Sequence, residues 1–404
     1  MNTYDVIVAG AGPAGSMAAR LVAGRGARVL LLDKQRFPRD KPCGGGVTSR
    51  AASEQDVDLT PVIERTIRGA RFTLQLGESF DRVSDRPLTY MTQRSRLDAF
   101  LTERAAGAGA EFHGGEGTRE VEVSLKPIRH GVIVRTDHDT YESRVLIGAD
   151  GANGVTGRAL GLRPEYEVAV ALEGNVLCTA GVPKEWREVA ALDFGGMAGG
   201  YGWVFPKGDH LNVGVGGWKY AGFTLRPKLA AIARRYGFDE SRLDNLRGHH
   251  LPVRVAGTPI ARGPIALAGD AAGLVDPLTG EGIHMAFASG RLAAEHALRV
   301  LGGEADDMSG YEAEVDRELQ SELTVSRRLQ ELLNFAPPPY LAMLRRSDLV
   351  WRFLCAVIRG DMTYLDFMRR IGPMRVAMEF FANVAERRRL GRVRAGMRLM
   401  AAAG

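Results

Sequence analysis

The stretch YDVIVAGAGPAG, residues 4–15, joins a short apolar segment directly to three closely spaced glycines. Residues 4–9 are rich in β-branched side chains and predict a fully buried strand of a parallel sheet. An apolar helical pattern follows the glycines, and a second strand pattern over residues 28–32 ends at Asp33. Strand, GxGxxG, helix, strand and a final acidic residue together predict a dinucleotide-binding unit.

Each glycine of this motif has its own task in such a unit. Gly10 makes the tight turn, Gly12 lets backbone N–H groups reach a pyrophosphate, and Gly15 allows the helix to pack closely on the strand. The helix N-terminus favours the phosphate charge, and Asp33 can accept hydrogen bonds from ribose hydroxyls. A glycine-rich turn that binds nothing is the alternative, and the complete context disfavours it. The residues expected at this site are Gly10, Gly12, Pro13, Ala14, Gly15, Asp33 and Lys34.

Three later segments extend the same pattern. Residues 145–148 predict a buried strand that runs into Asp150 and Gly151, and residues 265–273 predict another strand with Asp270 at its end. The sequence DPLTGEGI at residues 276–283 then opens a helix rich in small side chains. Taken alone, Asp270 could be a helix N-cap.

In this order the segments resemble the p-hydroxybenzoate-hydroxylase-type flavoproteins, and the resemblance implies FAD as the cofactor. It implies that Asp270 hydrogen-bonds the ribityl chain and that the helix start at Gly280–Ile283 points at the pyrimidine edge of the flavin. A helix N-terminus stabilises the negative charge that a reduced flavin carries at that edge. The further cofactor positions are Asp150, Gly269, Asp270, Pro277, Gly280, Gly282 and Ile283.

Three other motifs resemble one branch, the geranylgeranyl reductase family. They are PRDKPCGGG at residues 38–46, RSRLD at residues 94–98 and YGWVFPK at residues 201–207 with NVGVG after it. The resemblance implies that Arg94 and the loop Cys43, Gly44, Gly45 and Gly46 contact the cofactor. Ala198 and His284 depart from the family pattern, and both would line the substrate side.

The side chains in two of these motifs allow more than one interpretation. Cys43 either lies near the flavin or substrate, or fills a tight loop whose glycines permit close approach to a flat ring. Tyr201, Trp203 and Phe205 alternate with small or aliphatic residues, so they share one face of a strand. They are either sheet core or an apolar wall for a long hydrocarbon substrate.

Length and composition limit the architecture. A chain of 404 residues that is 45% apolar and 25% charged is globular and long enough for two or three domains. The three cysteines lie far apart, which disfavours a disulfide framework and a cysteine-based zinc site, and no cluster has metal-ligand spacing. The absence of an apolar run of membrane-spanning length, together with a strand pattern near the start, disfavours a membrane span and a signal peptide.

The predicted fold is α/β, with a Rossmann-type FAD-binding domain, a mixed or antiparallel-sheet substrate domain and a helical C-terminal region. The FAD-binding domain is expected to be discontinuous, with residues 1–70, 90–165 and 255–300. The substrate domain is expected to take residues 71–89 and 166–254, and the helical region residues 301–404.

The positive charge is concentrated near the C-terminus. From residue 327 onwards there are 15 arginines, no lysine and six acidic residues. The dense basic stretch at residues 387–394 is either a solvated helix face or an attachment to an anionic membrane surface. Nothing in the fold pattern supports nucleic-acid binding. We expect a cytoplasmic protein. If it contacts a membrane, we expect peripheral attachment to the inner face.

The sequence therefore predicts an FAD-dependent reductase that saturates C=C bonds in a long isoprenoid chain. Reduced FAD would supply hydride, and Tyr201, Cys43 or water would supply the proton, while Trp203 shapes the site. No second dinucleotide motif is present, so electrons must come from an external donor, either NAD(P)H or a ferredoxin-like carrier. The alternatives are a monooxygenase or halogenase that uses a flavin hydroperoxide, and a flavoprotein maturation factor that acts on a partner protein.

Overall fold

The computed structural model describes residues 2–123, 131–159, 161–162 and 166–402. In this part of the chain the strands are, in order, β1 (Asn2–Ala9), β2 (Val29–Asp33), β3 (Gly46–Thr48), β4 (Arg65–Ile67), β5 (Gly69–Leu74), β6 (Phe80–Val83), β7 (Thr89–Met91), β8 (Glu111–Gly114), β9 (Thr118–Val123), β10 (Val132–Thr136), β11 (Thr140–Gly148), β12 (Tyr166–Leu177), β13 (Val189–Phe194), β14 (Tyr201–Pro206), β15 (His210–Trp218), β16 (Asp244–Arg254), β17 (Ala261–Arg262) and β18 (Ile265–Leu267). The α-helices are α1 (Pro13–Ala23), α2 (Ser49–Ser53), α3 (Arg94–Gly107), α4 (Thr156–Ala159), α5 (Leu225–Arg235), α6 (Ile283–Gly302), α7 (Ser309–Val315), α8 (Ser321–Phe335), α9 (Pro337–Arg346), α10 (Asp348–Arg359), α11 (Tyr364–Arg370) and α12 (Met374–Ala402).

The first sheet contains the N-terminal strand at its centre. Strands β18, β11, β1, β2 and β8 lie side by side and parallel, and the short β17 and the β9–β10 hairpin pair antiparallel with it. Val6, Ile7 and Val8 are completely buried because helices α1 and α6 cover this part of the sheet. This is the Rossmann-type arrangement that the glycine motif predicts.

The second sheet has seven strands in the order β16-β12-β15-β14-β13-β5-β6, and only the β5–β13 pair is parallel. Its strands come from two separate parts of the chain, residues 69–83 and 166–254. A small third sheet, β3-β7-β4, follows the loop that carries Cys43. The predicted fold class, an α/β protein with a mixed second sheet and a helical C-terminal region, is confirmed.

The C-terminal helices pack onto these sheets through charged contacts as well as apolar ones. Helix α8 ends at Phe335 and α9 begins at Pro337, so the three consecutive prolines mark the break that their missing N–H groups impose. Arg389 of α12 pairs with Glu331 of α8 at 2.6 Å and with Glu167 of β12 at 2.9 Å. Among the described helices, none combines the length and the apolar character needed to cross a membrane.

The expectation of a free basic tail needs correction at Arg389. Its side chain is only 10% exposed and is occupied by Glu167 and Glu331, with the ring of Trp218 beneath it. Arg387 and Arg388 are exposed, as predicted for a surface stretch. The side chains of Arg392 and Arg394, and residues 403–404, lie outside the described part of the chain.

Candidate functional site

The turn between β1 and α1 is shaped by the absence of side chains. Gly10 has a φ of +103°, and a Cβ at that position would lie 2.3 Å from the Ala149 oxygen. A Cβ at Gly15 would lie 1.8 Å from the Gly10 oxygen, so helix and strand could not approach as they do. Gly12 differs, because a Cβ there would meet only the guanidinium groups of Arg39 and Arg94, at 3.7 and 3.8 Å.

Those two arginines converge on one buried carboxylate. Arg94 donates two hydrogen bonds to Asp98, at 2.8 and 2.7 Å, and Arg39 reaches Asp98 at 2.8 Å. Arg39 also lies 3.6 Å from Asp33, so two carboxylates balance the two guanidinium groups, whose Nη2 atoms border the space beside Gly12. Burial opposes the charge of Arg94, but Asp98 holds its pKa well above the usual range. The site therefore fits a diphosphate. Sequence reasoning missed Arg39, although it lies in the PRDKPCGGG motif.

Asp33 lies at the end of β2, close to this turn. Its carboxylate accepts hydrogen bonds from the backbone N–H groups of Ala11 and Gln35, at 3.0 and 2.9 Å. Lys34 lines the same cavity as Asp33, and so do Pro13 and Ala14. Gly15 does not line it, because its place is the helix–strand contact.

Asp150 offers a second polar group to the cavity. Its Oδ2 accepts three hydrogen bonds from Val155 and Thr156, at 2.7 to 2.9 Å. Its Oδ1 is buried and has no hydrogen-bond partner among the described residues. An unpaired buried carboxylate oxygen is costly, which is consistent with a ligand donor at this position.

Asp270 follows β18 and faces two basic side chains. Lys41 Nζ lies 2.9 Å from its Oδ2, and His249 Nε2 lies 3.6 Å away. Burial alone would raise the pKa of Asp270, but Lys41 and His249 outweigh that effect and hold the pKa well below its usual range. Asp270 is therefore a buried carboxylate that stays ionised, next to Gly269, which also lines the cavity.

Helix α6 begins at the same cavity. Gly282 caps it without a side-chain hydrogen bond, so the N–H groups of its first turn are free to face a ligand. The preceding loop is fixed by Asp276, whose Oδ1 accepts from Leu278 and Thr279 N–H at 2.9 Å each. Pro277, Gly280, Gly282 and Ile283 line the cavity.

The loop carrying Cys43 is held against the second sheet. A Cβ at Gly44 would lie 2.8 Å from the Phe205 ring, and one at Gly45 would lie 2.1 Å from the Thr92 oxygen. Lys207 Nζ donates to the carbonyl oxygens of Gly44 and Thr92. The glycines thus permit close approach to protein atoms, whereas the sequence suggested close approach to a ligand ring. Cys43 and Gly46 line the cavity with them.

The three aromatic residues of β14 form one wall of the cavity. Tyr201, Trp203 and Phe205 all line it, as their alternation predicts. A Cβ at Gly214 of the neighbouring strand would lie 2.0 Å from the Trp203 ring, so the ring lies directly over that glycine. The Trp203 indole N–H donates to Asn212 at 2.8 Å. The Tyr201 hydroxyl donates to the Thr279 carbonyl, and burial raises the pKa of Tyr201 well above its usual range.

Glu173, on β12, is a cavity residue that sequence reasoning missed. Its Oε1 accepts the Cys43 N–H at 2.6 Å, and burial raises the pKa of Glu173 to about 7. The signal was present, since period-two alternation puts this acid on the same strand face as Ala169 and Ala171. His284 was expected on the substrate side. It is instead absent from the cavity lining, and its Nε2 lies 3.5 Å from Glu54.

Apart from Gly15, Ala198 and His284, the predicted site residues line one cavity of about 860 Å³, and Arg39 and Glu173 line it with them. One end holds the glycine turn, Arg94, Asp150 and Asp270. The other end is apolar and runs between the second sheet and the C-terminal helices. The apolar lining at that end is Ile67, Phe72, Leu88, Leu192, Phe194, Leu333, Leu341, Leu344, Trp351, Leu354 and Ile358.

Comparisons with known proteins agree with this division. A family model described as an FAD binding domain matches residues 3–194. A menaquinone reductase of Mycolicibacterium smegmatis is 35% identical over 364 residues, covering 82% of this chain and 85% of the relative. A digeranylgeranylglycerophospholipid reductase of Methanopyrus kandleri is 32% identical over 355 residues, covering 82% and 90%. A solved geranylgeranyl bacteriochlorophyll reductase-like protein of Thermoplasma acidophilum superposes with a TM-score of 0.75 at 26% identity, covering 83% and 89%.

Proposed function

The chain belongs to the geranylgeranyl reductase family of FAD-dependent oxidoreductases, and we propose that it saturates C=C bonds in a long isoprenoid chain. One observation carries the proposal. The polar end of the cavity fits a flavin dinucleotide, and the same cavity continues into an apolar space between sheet and helices. The relatives named as menaquinone, digeranylgeranylglycerophospholipid and geranylgeranyl reductases support an isoprenoid as the occupant of that space.

The residues at the polar end suit the parts of FAD in turn. Arg39, Arg94 and the turn at Gly12 would hold the diphosphate, and Asp33 would hold the adenosine ribose. Asp270 would accept from the ribityl hydroxyls. The free N–H groups at the start of α6 would face the pyrimidine edge, where a helix N-terminus stabilises negative charge by about 0.3–1 kcal/mol. When bound, FAD supplies the hydride for the reduction.

The protein's task at the other end is to position an alkene and exclude water. Unactivated alkenes accept hydride poorly, so the reacting atoms must be held about 3–3.5 Å apart in a near-attack geometry. The wall of Tyr201, Trp203 and Phe205 gives a rigid apolar surface for that purpose, and Asn212 fixes the Trp203 indole. The apolar lining from Phe72 to Ile358 holds the rest of the chain away from water.

We further propose that electrons reach the flavin from an external donor, NAD(P)H or a ferredoxin-like carrier. The described residues hold a single strand–GxGxxG–helix unit, and Gly10–Gly15 of that unit fits the flavin itself. An anionic membrane surface is the proposed second partner, because polyprenyl lipids reside in membranes. The exposed side chains of Val376, Phe380 and Phe381 and of Arg387 and Arg388 on α12 support it.

The test is anaerobic conversion. Purified protein with bound FAD is reduced with dithionite and given polyprenyl diphosphates, phospholipids or quinones, and products are analysed by mass spectrometry. The proposal predicts products heavier by multiples of two hydrogens in the absence of oxygen. Products that appear only in air, and that carry oxygen or halogen, would instead indicate a monooxygenase or halogenase.

A further inference from the structure

Glu173 differs from every other acidic residue at the cavity. Within the described residues it is the only acidic side chain that the seven-stranded sheet presents to the cavity. It lies in register with Gly214, and Gly214 lies in register with Trp203 on the next strand. Because the Trp203 ring covers Gly214, the carboxyl of Glu173 stands beside the aromatic wall.

Glu173 lies between the cofactor loop and the aromatic wall. Its Oε1 accepts the backbone N–H of Cys43, in the loop that borders the proposed flavin site, at 2.6 Å. Asn212 lies near its carboxyl and lowers its pKa, while the Asn212 side chain itself accepts from the Trp203 indole at 2.8 Å and donates to Asn175 at 3.0 Å. The carboxyl is therefore held by the cofactor loop on one side and lies beside the aromatic wall on the other.

The charged groups around Glu173 leave it able to hold a proton near neutral pH. Burial, with a smaller effect of Asp40, raises its pKa to about 7 against the lowering effects of the Cys43 N–H, Lys207 and Asn212. Arg247, its register partner on β16, is paired with Asp40 at 3.0 Å. Lys207 is itself buried, which lowers its pKa to about 8.

On the proposed function, we propose that Glu173 donates the proton that completes alkene reduction. Hydride supplied by reduced FAD forms a C–H bond at one alkene carbon while the π bond breaks. The O–H bond of Glu173 breaks, and its proton forms the second C–H bond at the other carbon. The carboxylate left behind regains a proton from water. Electrons and atoms then balance, with the flavin oxidised and the alkene reduced.

The other candidate donors are placed less well for this task. The Tyr201 hydroxyl donates its hydrogen bond to the Thr279 carbonyl, and burial holds the pKa of Tyr201 far above neutrality. The Cys43 Sγ accepts the Gly45 N–H at 3.3 Å, which helps to fold the loop. Glu173 combines access to the cavity with a pKa close to the ambient pH, as effective general acids do.

The first test compares Glu173→Gln with the wild type in single turnovers of the dithionite-reduced protein between about pH 5 and pH 9. Since protonated Glu173 is the active form, the wild-type rate should fall as pH rises through about 7. Glu173→Gln should be slower by about 100-fold or more and should lack that pH dependence. Reoxidation of its reduced flavin by ferricyanide, which needs no proton from Glu173, should be unchanged.

Asp193→Asn is the matched control. Asp193 is a buried acid of the same sheet, bonded to Thr73 and Leu76, and burial raises its pKa too, but it does not line the cavity. Its variant should keep the wild-type rate and pH profile. A Glu173→Gln protein with the wild-type rate and pH profile would overturn the role of Glu173 alone. A wild type that reduces no polyprenyl substrate would overturn the proposed function as well.

The second test needs no turnover. The pKa of Glu173 is higher in the folded protein than in the unfolded chain, so its stabilising effect is complete at low pH and is lost as pH rises through about 7. Glu173→Gln should therefore melt at a higher temperature than the wild type at about pH 8 and at the same temperature at about pH 4. If the melting temperatures of Glu173→Gln and the wild type differed equally at both pH values, Glu173 would not titrate as proposed.

Discussion

Gly12 and Gly15 are three positions apart, and the missing side chain matters at each for a different reason. A side chain at Gly15 would overlap the backbone of Gly10, whereas one at Gly12 would enter the space that Arg39 and Arg94 border. The sequence motif predicted both positions because its spacing reflects local backbone geometry. Gly15 is therefore structural, whereas Gly12 belongs to the proposed diphosphate site.

Replacing Gly12 by Ala should therefore weaken FAD binding without unfolding the protein. The added methyl lies at ordinary contact distance from Arg39 and Arg94 but occupies the proposed diphosphate space. We expect FAD affinity to fall at least about tenfold, or about 1.4 kcal/mol, measured by titration of the apoprotein. Gly107→Ala, at a helix position with nothing within 4 Å, is the control. If both variants bound FAD equally tightly, Gly12 would not belong to the diphosphate site.

Glu173 and His284 show where single residues escape prediction. Both lie in correctly predicted elements, a strand and a helix, but the direction of a side chain depends on what packs against it. Glu173 faces the cavity because β12 is covered there by the Cys43 loop, 130 residues away in sequence. His284 turns to Glu54, on the segment after α2. Alternation puts Glu173 on one face of its strand, but the long-range contacts that decide what this face meets leave no local pattern.

Helices α9 and α10 close the apolar end of the cavity, whereas the sequence predicted only that residues 301–404 form a helical region, without indicating what that region covers. Leu341 and Leu344 of α9 and Leu354 and Ile358 of α10 line the space. Their partner is the face of β5 and β13 that carries Phe72, Leu192 and Phe194. Helix α12 is held by the pairs from Arg389 to Glu167 and Glu331, which a count of basic residues could not reveal.

A bulky side chain on α9 should shorten the substrate that the protein accepts. Leu344→Trp fills the apolar end, so turnover of a four-isoprene chain should fall by about tenfold or more, while a two-isoprene chain should be affected less. Met343→Trp is the control, because Met343 is the adjacent residue of the same helix, is 44% exposed and does not line the cavity. If Leu344→Trp lost turnover equally for both substrates, the isoprenoid would not occupy this end of the cavity.

The whole molecule joins a predictable half to a less predictable one. The cofactor end follows from motifs, since glycines and acids at fixed offsets encode turns and strand ends. The substrate end arises only when the second sheet, the Cys43 loop and the C-terminal helices come together around one cavity. Family resemblance supplied the expectation of an isoprenoid, and the apolar end of the cavity is the space proposed for it.

The proposed membrane attachment would also be a property of the assembled molecule. Replacing both Arg387 and Arg388 by Glu should reduce cosedimentation with vesicles of anionic phospholipid, since each basic residue near such a surface contributes about 1 kcal/mol. FAD content should not change. The control replaces two exposed arginines of α5, Arg226 and Arg234, by Glu, which gives the same change in net charge on another surface. Equal loss in both variants would indicate only a nonspecific charge effect.

The central claim is that electrons pass from the reduced flavin to an alkene without oxygen. The most direct measurement is the absorbance of oxidised flavin after anaerobic mixing of the dithionite-reduced protein, freed of excess dithionite, with a polyprenyl substrate. We predict that the absorbance returns in step with saturation, one double bond for each flavin. A flavin that stays reduced with every polyprenyl substrate, and is reoxidised only when air is admitted, would contradict the assignment as an isoprenoid reductase.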